Sequence, residues 1–480
     1  MLYLAFAAVE VWVSRGYIFK ASRTAVRDHG NYCTVLEEWE RGADLFGGIF
    51  WSFGPIPMLA YRLVDSFLQS PILTFVVTNL LWITLGIFIV ISLCTTRLGI
   101  LIAALILLNL FPPVEACTSV TWYPPEFVFI ALCGWVYQVR SNKRFMACLA
   151  VLALLMQFNK QTSPILLAPF LAERILRGKI PLVELRNLVI TPVIIMALGS
   201  LAMLPIYGSM DLFLQLNFPI HMLEQYESMQ GKPWAILRDL DAGWYYNHLS
   251  IPTFGVLCAF LLCFLDGKSH PNLRIARLHA ISGILALLLY CRHRDHYLMN
   301  TYQFYLAAAL LAVPRLPRVR LPWIVLVLPA MALGLKINVS ALFNPHPLGK
   351  TITPDATWMR KHIFETDVTY IELQEACRKN GVEKAAFLTR HPGLSYVISV
   401  QNTLPITWIL AGWVHEKNQE DFWEAVLSAP WLVLEKTDGK QTPKANVTAW
   451  NTLPGALEAS KKIDGHSIIW ENEAFLLLKK

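Results

Sequence analysis

Long apolar runs separated by short polar connections make up the first two thirds of the chain. Four runs approach or reach the roughly 20 residues that a helix needs to cross a hydrocarbon core of about 30 Å; they cover residues 71–94, 187–207, 251–265 and 321–340. Shorter runs, which aromatic ends or neighbouring helices would complete, cover residues 98–112, 124–139, 146–158 and 277–290. The pattern predicts an all-α polytopic membrane bundle of about eleven transmembrane helices.

The pattern changes after residue 341, where charged residues become frequent and no run could span a bilayer. A helix is predicted over residues 354–380, with Gly381 as its C-cap, and a second helix over 419–428. Alternating apolar residues predict short strands at 383–389, 394–400, 431–435 and 474–479. The sequence therefore predicts a transmembrane domain at 1–340, followed by a mixed α/β domain at 341–480.

Composition agrees with a membrane protein. Hydrophobic residues make up 55% of the 480 residues and charged residues 16%, whereas soluble domains carry about 25% charged residues. The net charge of +7 is explained by basic loops beside anionic lipid headgroups, so membrane lipids are expected partners and nucleic acid is not. No glycine-rich phosphate loop occurs, which argues against an ATP-driven pump and against a nucleotide-sugar enzyme.

Basic residues between the apolar runs predict the orientation. One set of connections carries most of the Lys and Arg, including Arg97, Arg140, Arg174 and Arg315, and is cytoplasmic by the positive-inside rule. The outer loops are then 20–70, 113–125 and 208–250, and the α/β domain is also extracytoplasmic. We expect a multi-pass protein of a bacterial inner membrane whose working site faces the periplasm or the outside.

The first outer loop contains the stretch RDHGNYCTVLEEWERG at residues 27–42. Its mix of Trp, aromatic and charged residues suits an ordinary helix lying in the membrane interface, with solvated acids. A functional loop is the other interpretation. Cys33 within it could pair with Cys117 of the second outer loop, or both could be buried free thiols.

Three motifs together resemble the GT-C class of membrane glycosyltransferases, which includes the protein mannosyltransferases and the aminoarabinose transferase of lipid A. The first is the order Asp28, Tyr32, Trp39, Gly42 and GPIP at 54–57 in the first outer loop. The others are MQFNKQTSPILLAP at 156–169 and CRHRDHYLMNTYQFYLAAALL at 291–311. Many members of the class carry Asp-Glu after the first span, whereas this chain carries Asp28-His29.

The resemblance implies an integral membrane hexosyl- or pentosyltransferase. Such an enzyme moves a sugar from a polyprenyl-phosphate donor to a glycan, lipid or protein acceptor on the extracytoplasmic face. Direct attack by the acceptor would invert the anomeric carbon, whereas retention would need a second carboxylate as nucleophile. Asp28 is the candidate general base, because a carboxylate is ionised at neutral pH and can accept the proton of the acceptor hydroxyl.

Fixed cations should surround the departing phosphate of such a donor. Lys160, Arg292 and Arg294 are the basic residues of the short outer connections, and His296 lies beside the two arginines in sequence. These four are the predicted donor-phosphate site. The alternatives are that Lys160 snorkels to the surface and that His296 is an ordinary hydrogen-bonding residue at the interface.

Three further residues are candidates for binding substrate or a metal ion: Glu126, Glu115 and Tyr32. Glu126 begins a predicted span, where it could contact an arginine, the sugar or the acceptor, or simply favour the helix N-terminus through the helix dipole. No cofactor is required by the sequence. A divalent cation, Mg²⁺ or Mn²⁺, held by Asp28 and Glu126 is an open alternative.

A transporter or flippase for lipid-linked glycans is the competing hypothesis. Transporters commonly show inverted repeats, broken helices in matching halves, or ionisable residues deep in their spans. The sequence has no visible repeat, and its ionisable residues gather at one face. A non-catalytic scaffold would leave the polar cluster of the outer loops unexplained. We therefore rank the transferase first, the transporter second and the scaffold third.

Overall fold

A computed structural model describes residues 30–47, 53–69, 71–93, 123–177, 182–217, 271–290, 303, 306, 368–406, 414, 418–436 and 450–480. Its helices in the N-terminal part are α1 (Gly30–Glu40), α2 (Pro55–Leu68), α3 (Pro71–Ser92), α4 (Tyr123–Gln138), α5 (Asn142–Gln157), α6 (Ala168–Leu176), α7 (Leu182–Tyr207), α8 (Met210–Asn217) and α9 (Pro271–Tyr290). A short 3₁₀ helix covers Ser163–Leu167, just before α6.

The C-terminal part alternates helices and strands. Its elements are α10 (Val368–Lys379), β1 (Lys384–Leu388), α11 (Leu394–Ile398), β2 (Gln401–Asn402), α12 (Gln419–Ser428), β3 (Trp431–Glu435), α13 (Ala456–Ile463), β4 (Ser467–Glu471) and β5 (Phe475–Lys479). A single 3₁₀ turn, Trp450–Thr452, precedes α13.

Helices α3, α4, α5, α6 and α9 pack around one apolar cluster. Ile83 of α3, Phe127 of α4, Phe145 of α5 and Ile275 of α9 are fully buried in it. The end of α4 is fixed by Arg174 of α6, whose guanidinium donates to the carbonyl oxygens of the last turn and of the following connection. Because α4 and α5 are joined by so short a connection, this cap also fixes where α5 begins.

The fold class predicted from the sequence is wrong. Among the described residues, one helical segment is long and apolar enough to cross a membrane, Leu188–Tyr207 of α7, and a mixed sheet accompanies the helices. At 16 residues each, α4 and α5 are about 24 Å long and fall short of a hydrocarbon core of about 30 Å. The apolar side chains of α4 face neighbouring helices instead, since twelve of its residues are buried. Three predicted spans, 98–112, 251–265 and 321–340, lie outside the described residues.

Five strands form one sheet in the order β2-β1-β3-β5-β4. β1 is parallel to both β2 and β3, whereas β5 runs antiparallel to β3 and β4. Alternate residues of β1 and β3 enter different apolar clusters: Leu388 and Leu432 enter one, and Phe387 and Val433 the other. This period of two shows that β1 and β3 are buried on both faces of the sheet.

Most of the predicted elements of this part are confirmed, and one is wrong. Strands were predicted correctly at β1, β3 and β5, and the helix at α12. The stretch LSYVISV at 394–400 is not a strand: Leu394–Ile398 form α11, which is buried on all sides and ends at Ser399 with φ of 60°. Alternating apolar residues indicate a strand when one face of the segment is exposed. This segment is buried on every side, so the alternation does not indicate its structure. The predicted helix at 354–380 is observed from Val368 onward, and its earlier residues lie outside the described part.

Candidate functional site

Glu126 and Asn159 form the centre of the polar cluster in the N-terminal part. Glu126 lies in the first turn of α4, and Asn159 lies in the turn that follows α5. The Asn159 Nδ2 donates to Glu126 Oε2 at 2.8 Å, and both residues are fully buried. The hydrogen bond therefore joins the start of one helix to the end of the next inside the protein.

Lys160 and Ser163 complete this cluster. Lys160 is 6% exposed and interacts electrostatically with the Glu126 carboxylate. The Ser163 hydroxyl begins the 3₁₀ helix and lies beside the same carboxylate without reaching good hydrogen-bond geometry. We call Glu126, Asn159, Lys160 and Ser163 the corner cluster. It holds one carboxylate and one ammonium in a site shielded from water, where charges interact strongly.

The GPIP motif packs directly against the corner cluster. The backbone N–H of Gly54 donates to the carbonyl oxygen of Asn159 at 3.2 Å, and the N–H of Ile56 donates to that of Phe158 at 3.1 Å. A Cβ on Gly54 would overlap the Phe158 carbonyl. Pro55 begins α2, where its fixed φ suits the first helical position. Two of the three motifs from the sequence are thus brought together, through backbone contacts.

Tyr32 lies in α1, in the apolar cluster that also contains Phe158. Its ring stacks on that of Phe75 in α3, with centroids 5.6 Å apart. It is 2% exposed, so its ring is a packing element between α1 and α3. The structure therefore places Tyr32 in the same apolar cluster as Phe158, the residue that precedes Asn159 of the corner cluster.

Acidic residues at the end of α1 connect it to α2. Burial raises the pKa of Glu40 to about 7, and a hydrogen bond with Asp65 of α2 adds to that shift, while Arg62 opposes it. The Asp65 carboxylate also accepts a 2.5 Å hydrogen bond from Thr74 of α3. Cys33 is a free, buried thiol, which agrees with the second of the two alternatives for the cysteines. Burial also raises its pKa.

The other site residues predicted from the sequence lie outside the described residues. These are Asp28, Glu115, Arg292, Arg294 and His296. Their roles stay predictions. Within the described ranges, no group of three or more His, Cys, Asp or Glu side chains is arranged to hold a metal ion. A role for Mg²⁺ or Mn²⁺ through Asp28 likewise stays a prediction.

Sequence reasoning overlooked three residues that build this site. Asn159, Ser163 and Gly54 have no individual role in the prediction. In the structure Asn159 donates to the Glu126 carboxylate, Ser163 lies beside it, and Gly54 donates to the turn after α5. The run of polar residues NKQTS at 159–163, set between two apolar segments, was a usable signal for Asn159 and Ser163. The close approach at Gly54 had no signal in the sequence beyond the glycine itself.

No protein-family model and no curated protein matches this chain.

Proposed function

We propose that the chain is an integral membrane glycosyltransferase that moves a sugar from a polyprenyl-phosphate donor to a glycan, lipid or protein acceptor on the extracytoplasmic face. The observation that carries the proposal is the burial of Lys160 beside Glu126 in the corner cluster. A buried ammonium is costly unless it meets an anion, and ionisable groups placed among apolar helices commonly serve function. Glu126 already supplies one anion to Lys160, and the phosphate of a lipid-linked donor is a second anion that would reach such a site from the membrane.

In the proposed reaction, the bond between the anomeric carbon and the phosphate oxygen breaks as the acceptor hydroxyl attacks the carbon. The hydroxyl proton passes to Asp28, and the polyprenyl phosphate leaves with the electron pair of the broken bond. Lys160 stabilises the charge that grows on the phosphate, together with Arg292, Arg294 and His296 as predicted from the sequence. Glu126, which Asn159 holds by a hydrogen bond, positions Lys160 through their electrostatic interaction. A cation held in place in this way stabilises the transition state without reorganising.

Apolar surface in the described part supports the membrane setting. Six aliphatic side chains of α7 are 41–62% exposed: Val189, Ile190, Val193, Ile194, Leu198 and Leu201. Leu81, Leu85 and Phe88 form a second exposed stripe along α3 at helical spacing. Water disfavours apolar patches of this extent, and a lipid environment accommodates them.

The test is sugar transfer by the purified protein in reconstituted membranes, with a panel of polyprenyl-phosphate sugars. We expect Lys160→Ala to lower kcat/KM for the donor by about 100-fold, the usual effect of losing one stabilising group at a developing charge. Lys160→Arg should recover part of that loss. Asp28→Asn should abolish transfer, since an amide cannot accept the proton.

Lys143 provides the matched control, because it is an exposed lysine at the opposite end of α5. Lys143→Ala is expected to leave kcat/KM within about twofold of the wild type, as for most exposed surface positions. Equal effects of Lys143→Ala and Lys160→Ala would contradict the phosphate site. Near-normal turnover by Asp28→Asn would exclude that residue as the base.

A transporter of lipid-linked glycans is the second candidate, and the burial of Glu126 and Lys160 also favours it. Transporters place paired ionisable residues along their substrate paths. The same preparation separates the two functions. Movement of the intact lipid-linked sugar between leaflets, without release of polyprenyl phosphate, would support the transporter.

A further inference from the structure

Helix α1 is held between the N-terminal helices and the C-terminal sheet. On one side Tyr32 stacks on Phe75 of α3. On the other side Cys33 enters an apolar cluster made of residues from the C-terminal part, including Leu373 and Val397. Since α1 buries residues against both parts, any shift between them must move α1.

Polar contacts fix α1 to the C-terminal part at two points. The Thr34 hydroxyl donates to the carbonyl oxygen of Pro392 at 3.3 Å, and it lies 3.5 Å from the hydroxyl of Ser395 in α11. One turn later, Gln401 Nε2 donates to Glu38 Oε2 at 3.0 Å. Two contacts one turn apart define both the rotation and the position of a helix.

Glu38 is held at both of its carboxylate oxygens. It is 7% exposed, and its second oxygen accepts a 2.8 Å bond from Arg41. Gln401 belongs to β2, the edge strand of the sheet. A carboxylate bound at both oxygens has one geometry, and hydrogen bonds to charged groups are the stronger kind. Helix α1 thus covers the open edge of the sheet through Glu38.

The proposed base Asp28 precedes the first residue of α1 by two residues. Successive Cα atoms are about 3.8 Å apart, so a displacement of α1 changes where Asp28 can reach. We infer that Glu38 is a positioning residue: through Gln401, the C-terminal part sets the place of α1 and thereby of the base for sugar transfer. The inference rests on the proposed function.

Reversing the hydrogen bond provides the sharpest test. In Gln401→Glu two carboxylates oppose each other, and we expect kcat to fall by about tenfold or more, because small misplacements of a catalytic group are costly. The KM for the donor should stay within about twofold, since the corner cluster is not part of α1. The double variant Glu38→Gln/Gln401→Glu exchanges donor and acceptor, and it should restore most of the lost kcat.

Two further variants control the test. Gln419→Glu adds the same charge in the first turn of α12 and should leave kcat unchanged. Gln401→Ala removes the hydrogen bond without adding charge, and it should lower kcat in the same direction by a smaller factor. An unchanged kcat in Gln401→Glu, or a loss that the double variant does not restore, would overturn the inference.

Backbone hydrogen exchange gives a readout that does not depend on activity. Exchange of the amides in residues 30–40 should be faster in Gln401→Glu than in the wild type and should return to the wild-type rate in the double variant. Unchanged exchange in Gln401→Glu would overturn the anchoring of α1. A wild-type protein that transfers no sugar overturns the proposed function, and with it the positioning role, whereas an active wild type with an insensitive Gln401→Glu overturns the positioning role alone.

Discussion

Gly54 has no room for a side chain, because its backbone lies against the carbonyl of Phe158. A methyl group at this position would have to push apart the GPIP turn and the turn after α5. We expect Gly54→Ala to lower the free energy of unfolding by about 2 kcal/mol, the typical cost of overpacking. Thermal unfolding in detergent measures this change.

Gly47 offers the control for Gly54. A Cβ there would meet its nearest neighbours at 3.7 Å, which is ordinary van der Waals contact. The free energy of unfolding of Gly47→Ala should therefore lie within about 0.5 kcal/mol of the wild-type value. Equal losses in the two variants would show that Gly54 is not closely packed against the turn.

The sequence predicted the residues of the corner cluster unevenly. Lys160 and Glu126 could be selected because a charge next to an apolar run is costly and therefore informative. Their proximity could not be predicted, since Lys160 follows Glu126 by 34 positions along the chain and only the packing of α4 on α5 brings them together. Tyr32 is predicted from the sequence as a candidate for binding substrate or a metal ion, and that role stays a prediction; in the structure its ring packs on Phe75.

Among the helices, Arg174 of α6 holds the connection between α4 and α5. Arg174 is 3% exposed and donates to the carbonyl oxygens of Tyr137, Val139 and Arg140 at 2.7–3.1 Å. Arg174→Met keeps the apolar stem but leaves these carbonyls without their donor. We expect a loss of about 3 kcal/mol in the free energy of unfolding, since unsatisfied buried acceptors are costly.

Arg177, one turn later on the chain, is the matched control. It forms an exposed ion pair with Glu173, and exposed pairs contribute at most about 1 kcal/mol. Arg177→Met should therefore have a small effect on thermal unfolding in the same detergent. A similar loss in both variants would mean that Arg174 does not act as the cap of α4.

Secondary structure in the C-terminal part was predictable where burial alternates. The apolar residues of β3 and β5 pair across the sheet, as Val433 does with Leu477, and their composition is typical of strands. The stretch that became α11 has the same composition, yet it is buried all round. Its helical form was decided by what surrounds it, which a single sequence does not contain.

For the whole molecule, the exposed face of α7 leads to a test of the proposed membrane location. Leu198 in α7 is 62% exposed and Leu457 in α13 is 78% exposed. If lipid covers α7, a thiol in Leu198→Cys should react with a water-soluble maleimide about tenfold or more slowly than one in Leu457→Cys. The maleimide reacts with the thiolate, and a hydrocarbon environment disfavours ionisation of the thiol, so the reaction is slower there.

Labelling is measured in intact membranes. It is then repeated in detergent with urea, which unfolds the chain and exposes both positions. The rate for Leu198→Cys should rise after unfolding, while wild-type labelling supplies the background from native cysteines such as exposed Cys148. Equal rates for the two variants in intact membranes would contradict a membrane position for α7.

The sequence by itself determined the local properties: which segments are apolar, which residues bear charge where charge is costly, and most strands and helices with regular periodicity. These properties depend on residues that are close in sequence and on how each side chain interacts with water. Only the tertiary structure decided that helices such as α4 bury their apolar residues against one another, that Glu126 meets Asn159, and that α1 is anchored to the edge of a sheet some 360 residues away. Such contacts depend on the packing of distant segments, and periodicity along a chain carries no information about which segments those are.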